Sequence, residues 1–196
     1  MQTPFRTPLR IGQPGDLTLL LEPSDPAEID TMHQYQKALQ SLYGGKLMKP
    51  VHLTCLRFTL ADEQYYPRLV EILTAFASQS EPFTFHAQGL LPFYSQFRTL
   101  HLLNWAIILH PRLKSCSRRL EHVLNKPWIT SLYTPGWVST LVTALEDIHT
   151  EPSPGKLNLP SYPYPLFTPG ILTISKLHEP SNFEILDKIP IWKSSP

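Results

Sequence analysis

The sequence predicts an α+β fold in which two half-units share a sheet-lined cleft, and three observations carry that prediction. Apolar runs of strand length alternate with helix-period segments along most of the chain. The order strand, helix, strand occurs twice, over Leu17 to Leu60 and again over Leu100 to Tyr133. The composition can fill a core, with 42% hydrophobic residues against 17% charged, where about 25% charged is usual. A chain of 196 residues suits a single domain, and its 21 prolines and 8 glycines describe a loop-rich protein rather than a disordered one. The expected organisation is one two-lobed domain over residues 1–196, with 1–16 as an N-terminal extension and 150–169 as a proline-rich loop.

Taken in order, Leu17 to Leu21 reads as a buried strand closed by Glu22-Pro23. Ser24-Asp25-Pro26 then offers cap chemistry with proline in the first helical turn. From Ala27, the residues Ile29, Met32, Leu39 and Leu42 keep a helical period until Gly44-Gly45 stops it. Val51 to Leu60 is a second strand and Glu63 to Ser78 a second helix, with Leu69, Ile72, Leu73 and Phe76 on one face. Pro82 to Leu91 and Thr99 to Leu109 read as a strand pair across a turn from Pro92 to Arg98. Pro111 to Leu124 is a third helix, Trp128 to Tyr133 an extended segment, and Trp137 to His149 a fourth helix. Two strands, Gly170 to Lys176 and Phe183 to Ile191, finish the chain.

Charge excludes some functions at once. With 17 Lys+Arg against 16 Asp+Glu, no general field draws the chain to nucleic acid or an anionic membrane, so phosphate binding has to come from a local site. Cys55 and Cys116 do not make a disulfide framework or a four-ligand zinc site. No His pair at i, i+4 and no Gly-x-Ser-x-Gly elbow occurs, so neither metal nor serine-hydrolase chemistry is expected. Gln40 and Leu47 break a P-loop reading of the Gly44-Gly45-Lys46 turn. Met1 to Asp16 lacks the apolar stretch of a secretory signal, and Leu100 to Leu109 includes His101 and Asn104 and is about half a membrane span. A cytoplasmic protein with no membrane partner and no cofactor is expected.

The chemistry sits in two short segments. In Pro50-Val51-His52-Leu53-Thr54-Cys55, strand alternation puts His52 and Thr54 on one face. An imidazole and a hydroxyl side by side can share one cluster of anionic oxygens, the nitrogen handling protons and the hydroxyl fixing an oxygen. Lys126-Pro127-Trp128-Ile129-Thr130-Ser131 places Trp128 and Thr130 by the same rule. In this pairing, and in the order of elements from Leu17 to Ile191, the chain resembles the 2H phosphoesterase superfamily, which includes the 2′-5′ RNA ligase-like proteins and the cyclic phosphodiesterases. That family carries two His-x-Thr/Ser motifs, one per half, facing each other across the cleft of two pseudo-symmetric lobes with antiparallel sheets and outer helices.

The resemblance implies that His52, Thr54 and Thr130 are catalytic residues and that Trp128 stands where the second histidine belongs. An indole N–H donates a hydrogen bond but does not exchange its proton near neutral pH. The implied protein is a degenerate member that binds a nucleotide or short RNA phosphodiester, with weak or altered metal-independent phosphodiesterase activity through His52. Trp128, Arg57, His101 and Tyr133 are the implied ligand-binding residues, His101 as a substitute donor. A non-catalytic nucleotide-sequestering or sensing module, and a protein-interaction scaffold that kept the fold alone, are the other classes open at this point. Arg112, Lys114, Arg118, Arg119 and Lys126 concentrate charge around the third helix, a solvated face or a phosphate rim. Tyr162-Pro163-Tyr164-Pro165 is a lid or a packed loop, and the oligomeric state stays open.

Overall fold

The computed structural model describes residues 12–95, 100–150, 152, 160–179 and 182–191. Its elements are β1 Leu17–Pro23, α1 Pro26–Tyr43, β2 Lys46–Leu47, β3 Leu53–Leu60, α2 Tyr66–Ser78, β4 Phe85–Ser95, β5 Leu100–Ile107, α3 Pro111–Val123, β6 Ile129–Ser131, β7 Leu141–Ile148, β8 Tyr164–Phe167, β9 Pro169–Glu179 and β10 Asn182–Pro190. Asp25 caps α1 by accepting the Ala27 N–H at 2.9 Å, with Pro26 in the first turn as the sequence indicates. Gly44 and Gly45 both take positive φ, 69° and 79°, which lets the chain leave α1 and turn directly into β2. At Gly45 a Cβ would also stand 2.5 Å from the Glu146 carbonyl.

Among the described residues all the pairings are antiparallel, and they build one ten-stranded sheet whose main path runs β10-β9-β1-β3-β7-β5-β4-β8. That order is a palindrome about the β3/β7 junction. β1 and β3 are joined by α1, as β5 and β7 are joined by α3; β9 flanks β1 as β4 flanks β5, and β10 and β8 are the ends. The two lobes are therefore halves of one curled sheet related by a pseudo-dyad.

One face of the sheet takes the helices. Leu17, Leu19 and Leu21 of β1, Leu53 and Phe58 of β3, and Trp105 and Val142 of the second half join a single apolar cluster. Helix α1 lies against the second half, where Gln36 donates to the Ala144 carbonyl at 3.0 Å and Tyr35 packs edge-on against Tyr164. Tyr66 at the start of α2 donates to Asp187 of β10, and Arg119 of α3 sits over Phe76 of α2. The other face is concave: Phe183 on β10 meets His52 at 5.8 Å although β9 and β1 lie between their strands, which requires the sheet to curl toward that side.

Four differences from the sequence reading have physical causes. Trp137 to His149 is not a helix; its second part is β7, because the run Val138, Thr140, Val142 and Thr143 favours extended backbone over the helical apolar spacing. The end of the second strand-helix-strand unit is consequently β7 and not Trp128–Tyr133, of which the three-residue β6 alone is strand. Pro92 does not open a turn but lies in β4 opposite Leu103, tolerated because β8 pairs with β4 only from Phe85 to Ala87 and leaves Pro92 at an edge. Tyr164–Phe167 of the expected loop is β8. Residues 1–11 of the N-terminal extension, 96–98 of the Pro92–Arg98 turn, and 151 and 153–159 of the loop lie outside the described residues.

Candidate active site

The pseudo-dyad passes between β3 and β7, where Leu53 pairs with Val142. Both side chains point into the helix-side core. Alternation then turns the neighbours on either side, His52 just before β3 and Thr54 within it, and Leu141 and Thr143 of β7, onto the concave face. The antiparallel sense sets His52 opposite Thr143 and Thr54 opposite Leu141. The registers outside this pair repeat the symmetry: Thr54 opposes Leu20 and Leu53 opposes Leu21 in one half, while Thr143 opposes Asn104, Val142 opposes Trp105 and Leu141 opposes Ala106 in the other. Under the dyad, His52-Leu53-Thr54 maps onto Leu141-Val142-Thr143.

His52 lies just before β3, 8% exposed. Its Nδ1 is 2.8 Å from the Pro50 carbonyl. A carbonyl only accepts, so Nδ1 carries the hydrogen and Nε2 is left with its lone pair. Burial holds the imidazole below its ordinary pKa of 6.5, against the opposing pull of the Pro50 carbonyl and of the Glu22 and Glu146 carboxylates. His52 is thus a neutral base on the concave face, its ring edge-on to Phe183. Across the dyad, Thr143 Oγ1 is oriented by Asn104 Oδ1 at 2.9 Å.

Further charge on this face comes from Glu22 and Lys188, which the sequence reading did not single out, and from Arg57, which it did. Glu22 continues β1 beyond the Leu21–Leu53 pair to stand beside His52, and its buried carboxylate binds Lys188 of β10 at 2.7 Å. Arg57 opposes Thr18, on the same face as Leu20 and Thr54, and its buried Nε has no partner among the described residues. The sequence signals for Thr143 and Glu22 were faint. Thr143 needed the second unit to be closed at β7, and the Glu22–Lys188 pair joins strands at opposite ends of the chain.

The structure brings His52, Thr54 and Arg57 to one face, with Thr130 on that face too but at the other end of β3, and it places Trp128, Tyr133 and His101 elsewhere. Trp128 stacks on Tyr65 at 5.0 Å within the apolar cluster, and its carbonyl accepts from Ala61 N. Ala61 lies just past the far end of β3 from His52, so the expectation that Trp128 faces His52 is corrected: the indole is core packing at the opposite end of the strand. Thr130 is exposed and opposes Thr59, also at that end. Tyr133 stacks on Trp137 at 4.0 Å and lines a cavity of about 460 Å³ with Leu56, Arg118 and His122 beside α3. Burial raises its phenol pKa, partly offset by Arg57. His101 pairs with Ile148 and packs on Tyr94 at 5.0 Å, without contact to His52. Tyr164 is buried and accepts from Trp105 Nε1 at 2.9 Å, so the tyrosine-proline run is packed structure there rather than a lid.

Among the described residues, no group of three or more His, Cys, Asp or Glu side chains is placed to hold a metal ion, and no helix is long and apolar enough to cross a membrane.

No family model matches the chain, and no curated protein matches it. Solved structures do. TT0787 of Thermus thermophilus matches with a TM-score of 0.58 at 17% identity, over 90% of this chain and 97% of that one. LigT of E. coli complexed with 3′-AMP matches with a TM-score of 0.59 at 12% identity, over 92% and 100%. LigT complexed with NADP+ gives 0.56 at 13%, over 93% and 100%. At these identities the likeness is one of fold, and it extends over nearly the whole of both chains.

Proposed function

We propose that this chain is a degenerate 2H phosphoesterase-like protein whose concave cleft binds a nucleotide or RNA phosphodiester at His52, Thr54 and Thr143, with Leu141 in the position of the second imidazole. The observation that carries the reading is the register match about the dyad, which sets His52-Leu53-Thr54 against Leu141-Val142-Thr143 on the two central strands. That register is what a motif pair of one imidazole and one hydroxyl per half calls for, short of one imidazole, and it supports the reading. The likeness to LigT in complexes with 3′-AMP and NADP+ supports a nucleotide as the ligand class.

The chemistry follows from what each group can exchange. Thr54 offers its hydroxyl to a non-bridging phosphate oxygen, and Thr143 does so from the other side of the dyad on giving up the bond it donates to Asn104 Oδ1. Nε2 of the neutral His52 takes the proton of an attacking water, and the resulting hydroxide adds to phosphorus. A P–O ester bond then breaks, and the departing ribose oxygen needs a proton. In a complete pair the second imidazole supplies it; leucine has none to give. Losing a positioned donor typically removes about 10²–10⁴ in rate. The remaining proton source is the imidazolium just formed on His52, or bulk water. Thr130 and Trp128 take no part in this account, and no metal is required by it. The apolar Leu141 also favours a second reading, in which the cleft binds its nucleotide without turning it over.

The test is equilibrium binding and turnover of 2′,3′-cyclic mononucleotides and 2′-5′-linked dinucleotides. Binding of a phosphorylated nucleotide is expected, with any hydrolysis slow and reduced at least a hundredfold by His52→Ala. Hydrolysis unchanged in His52→Ala would move the chemistry elsewhere, and absence of binding across the panel would leave the fold without this function.

A further inference from the structure

We infer that Lys188 is the cation that receives the phosphodiester in this cleft and that Glu22 is the residue holding it in place, an inference that rests on the nucleotide reading above. Pairing across the concave face runs in rows. Lys188 opposes Thr173, Thr173 opposes Leu20, and Leu20 opposes Thr54, so the lysine lies in the same row as the motif hydroxyl. Its Nζ leans one row over to Glu22, which stands beside His52. The pair is lopsided in burial: the lysine side chain is 46% exposed and the carboxylate 4%. The ammonium therefore sits where the cleft opens, above an acid that cannot leave it.

A buried carboxylate is costly to keep, and an ion pair in that position rarely adds stability over apolar residues of the same shape. Glu22 Oε1 is buried without a hydrogen-bond partner among the described residues, as is Thr173 Oγ1 under the lysine stem. Neither atom is explained by packing. Glu22 does hold a long, flexible side chain from β10 in one geometry two strands away from its own backbone, and an ammonium has three N–H donors of which the Glu22 contact uses one.

Electrostatics gives the arrangement a purpose. The Glu22 and Glu146 carboxylates act on His52, and both would repel a phosphodiester brought to Nε2. Lys188 neutralises Glu22 and offers its remaining donors on the open side. The dyad-related place of Glu22 is Ala106, opposite Leu141, so the Glu22–Lys188 pair has no counterpart beside Leu141. The phosphate is then held on the side that can accept a proton, and the Leu141–Ala106 side is left to apolar parts of the ligand.

The experiment compares affinities of the full chain for 3′-AMP and for adenosine, with the variants Lys188→Met, Lys188→Arg and Glu22→Gln. Lys188→Met keeps the stem and removes the charge. It should weaken 3′-AMP binding tenfold or more, flatten its salt dependence and leave adenosine binding by the folded protein near that of the unmodified one, while the melting temperature falls because the buried Glu22 carboxylate loses its partner. Lys188→Arg should retain most of the 3′-AMP affinity, and Glu22→Gln should lose part of it. If the unmodified protein prefers 3′-AMP to adenosine and Lys188→Met keeps that preference, the role of Lys188 is overturned while the nucleotide reading stands. An equal loss of 3′-AMP and adenosine affinity in folded Lys188→Met would make the lysine structural and overturn it equally. An unmodified protein that binds neither ligand overturns the nucleotide reading and this inference with it.

Discussion

His52 is a base by virtue of two local facts, a carbonyl that takes its Nδ1 hydrogen and burial that disfavours its charged form. The same burial links it to stability. The folded imidazole titrates below 6.5, while in the unfolded chain it titrates near that value. Below about pH 6.5 the unfolded state therefore binds the extra proton first, and stability, complete above that pH, is lost progressively down to the folded pKa. A melting curve recorded every half unit from pH 7.5 to 4.5 should fall more steeply for the unmodified protein than for His52→Asn, and the ring resonances should titrate below 6.5. Equal slopes in the two proteins would show that the imidazole is not held neutral by its surroundings. At this scale the sequence disclosed His52 and Thr54, because period-two alternation within one strand needs no knowledge of the fold; Arg57, three residues beyond Thr54, reaches their face only through the register shift opposite Leu19 and Leu20. It could not disclose Glu22 with Lys188, whose meeting depends on β9 lying between their strands.

Among the elements, those with explicit start and stop chemistry were readable. Asp25-Pro26 opens α1 and Gly44-Gly45 closes it where the residues say they should. The stretch after α3 was not readable, because its apolar residues fit both a helical face and a strand, and the contacts that decide are with β5 and β3, distant in sequence. The same stretch contained the misplaced tryptophan. Trp128 is 8% exposed, stacked on Tyr65 and joined by its carbonyl to Ala61, so its work is to fasten the end of β3 and the turn after it to the segment leading from α3. Trp128→Ala should cost about 3–5 kcal/mol of stability, the range for large aromatic truncations in a core. Denaturant unfolding measures that loss, and 3′-AMP affinity in the folded fraction should stay as it was. A variant of unchanged stability with impaired binding would return the indole to the ligand site.

At the scale of the whole molecule the order of elements announced a duplication, and the palindromic sheet is that duplication in three dimensions. The sequence could suggest two equivalent halves because strand, helix, strand recurs, but the matching of residues between them is a matter of register, which local pattern does not fix. Register identifies Leu141 as the partner of His52 and leads to the sharpest test of the proposal. Leu141 is half-buried beside Ala106, with Thr54 opposite, and Ser139 stands two residues before it as Pro50 stands before His52. An imidazole placed there has small neighbours, Ala106 and Thr54, to admit it. Leu141→His should therefore supply the missing proton donor and raise hydrolysis of a 2′,3′-cyclic nucleotide about a hundredfold or more, in the range of about 10²–10⁴ that such a donor typically contributes. The gain should require both imidazoles, vanishing in Leu141→His with His52→Ala, and the rate should become bell-shaped in pH as one ring must be neutral and the other protonated. Trp128→His, at the far end of β3, should give no gain. A Leu141→His protein that folds, binds 3′-AMP as before and hydrolyses no faster would show that the two central strands do not form a motif pair, because every other requirement of the pair would have been met.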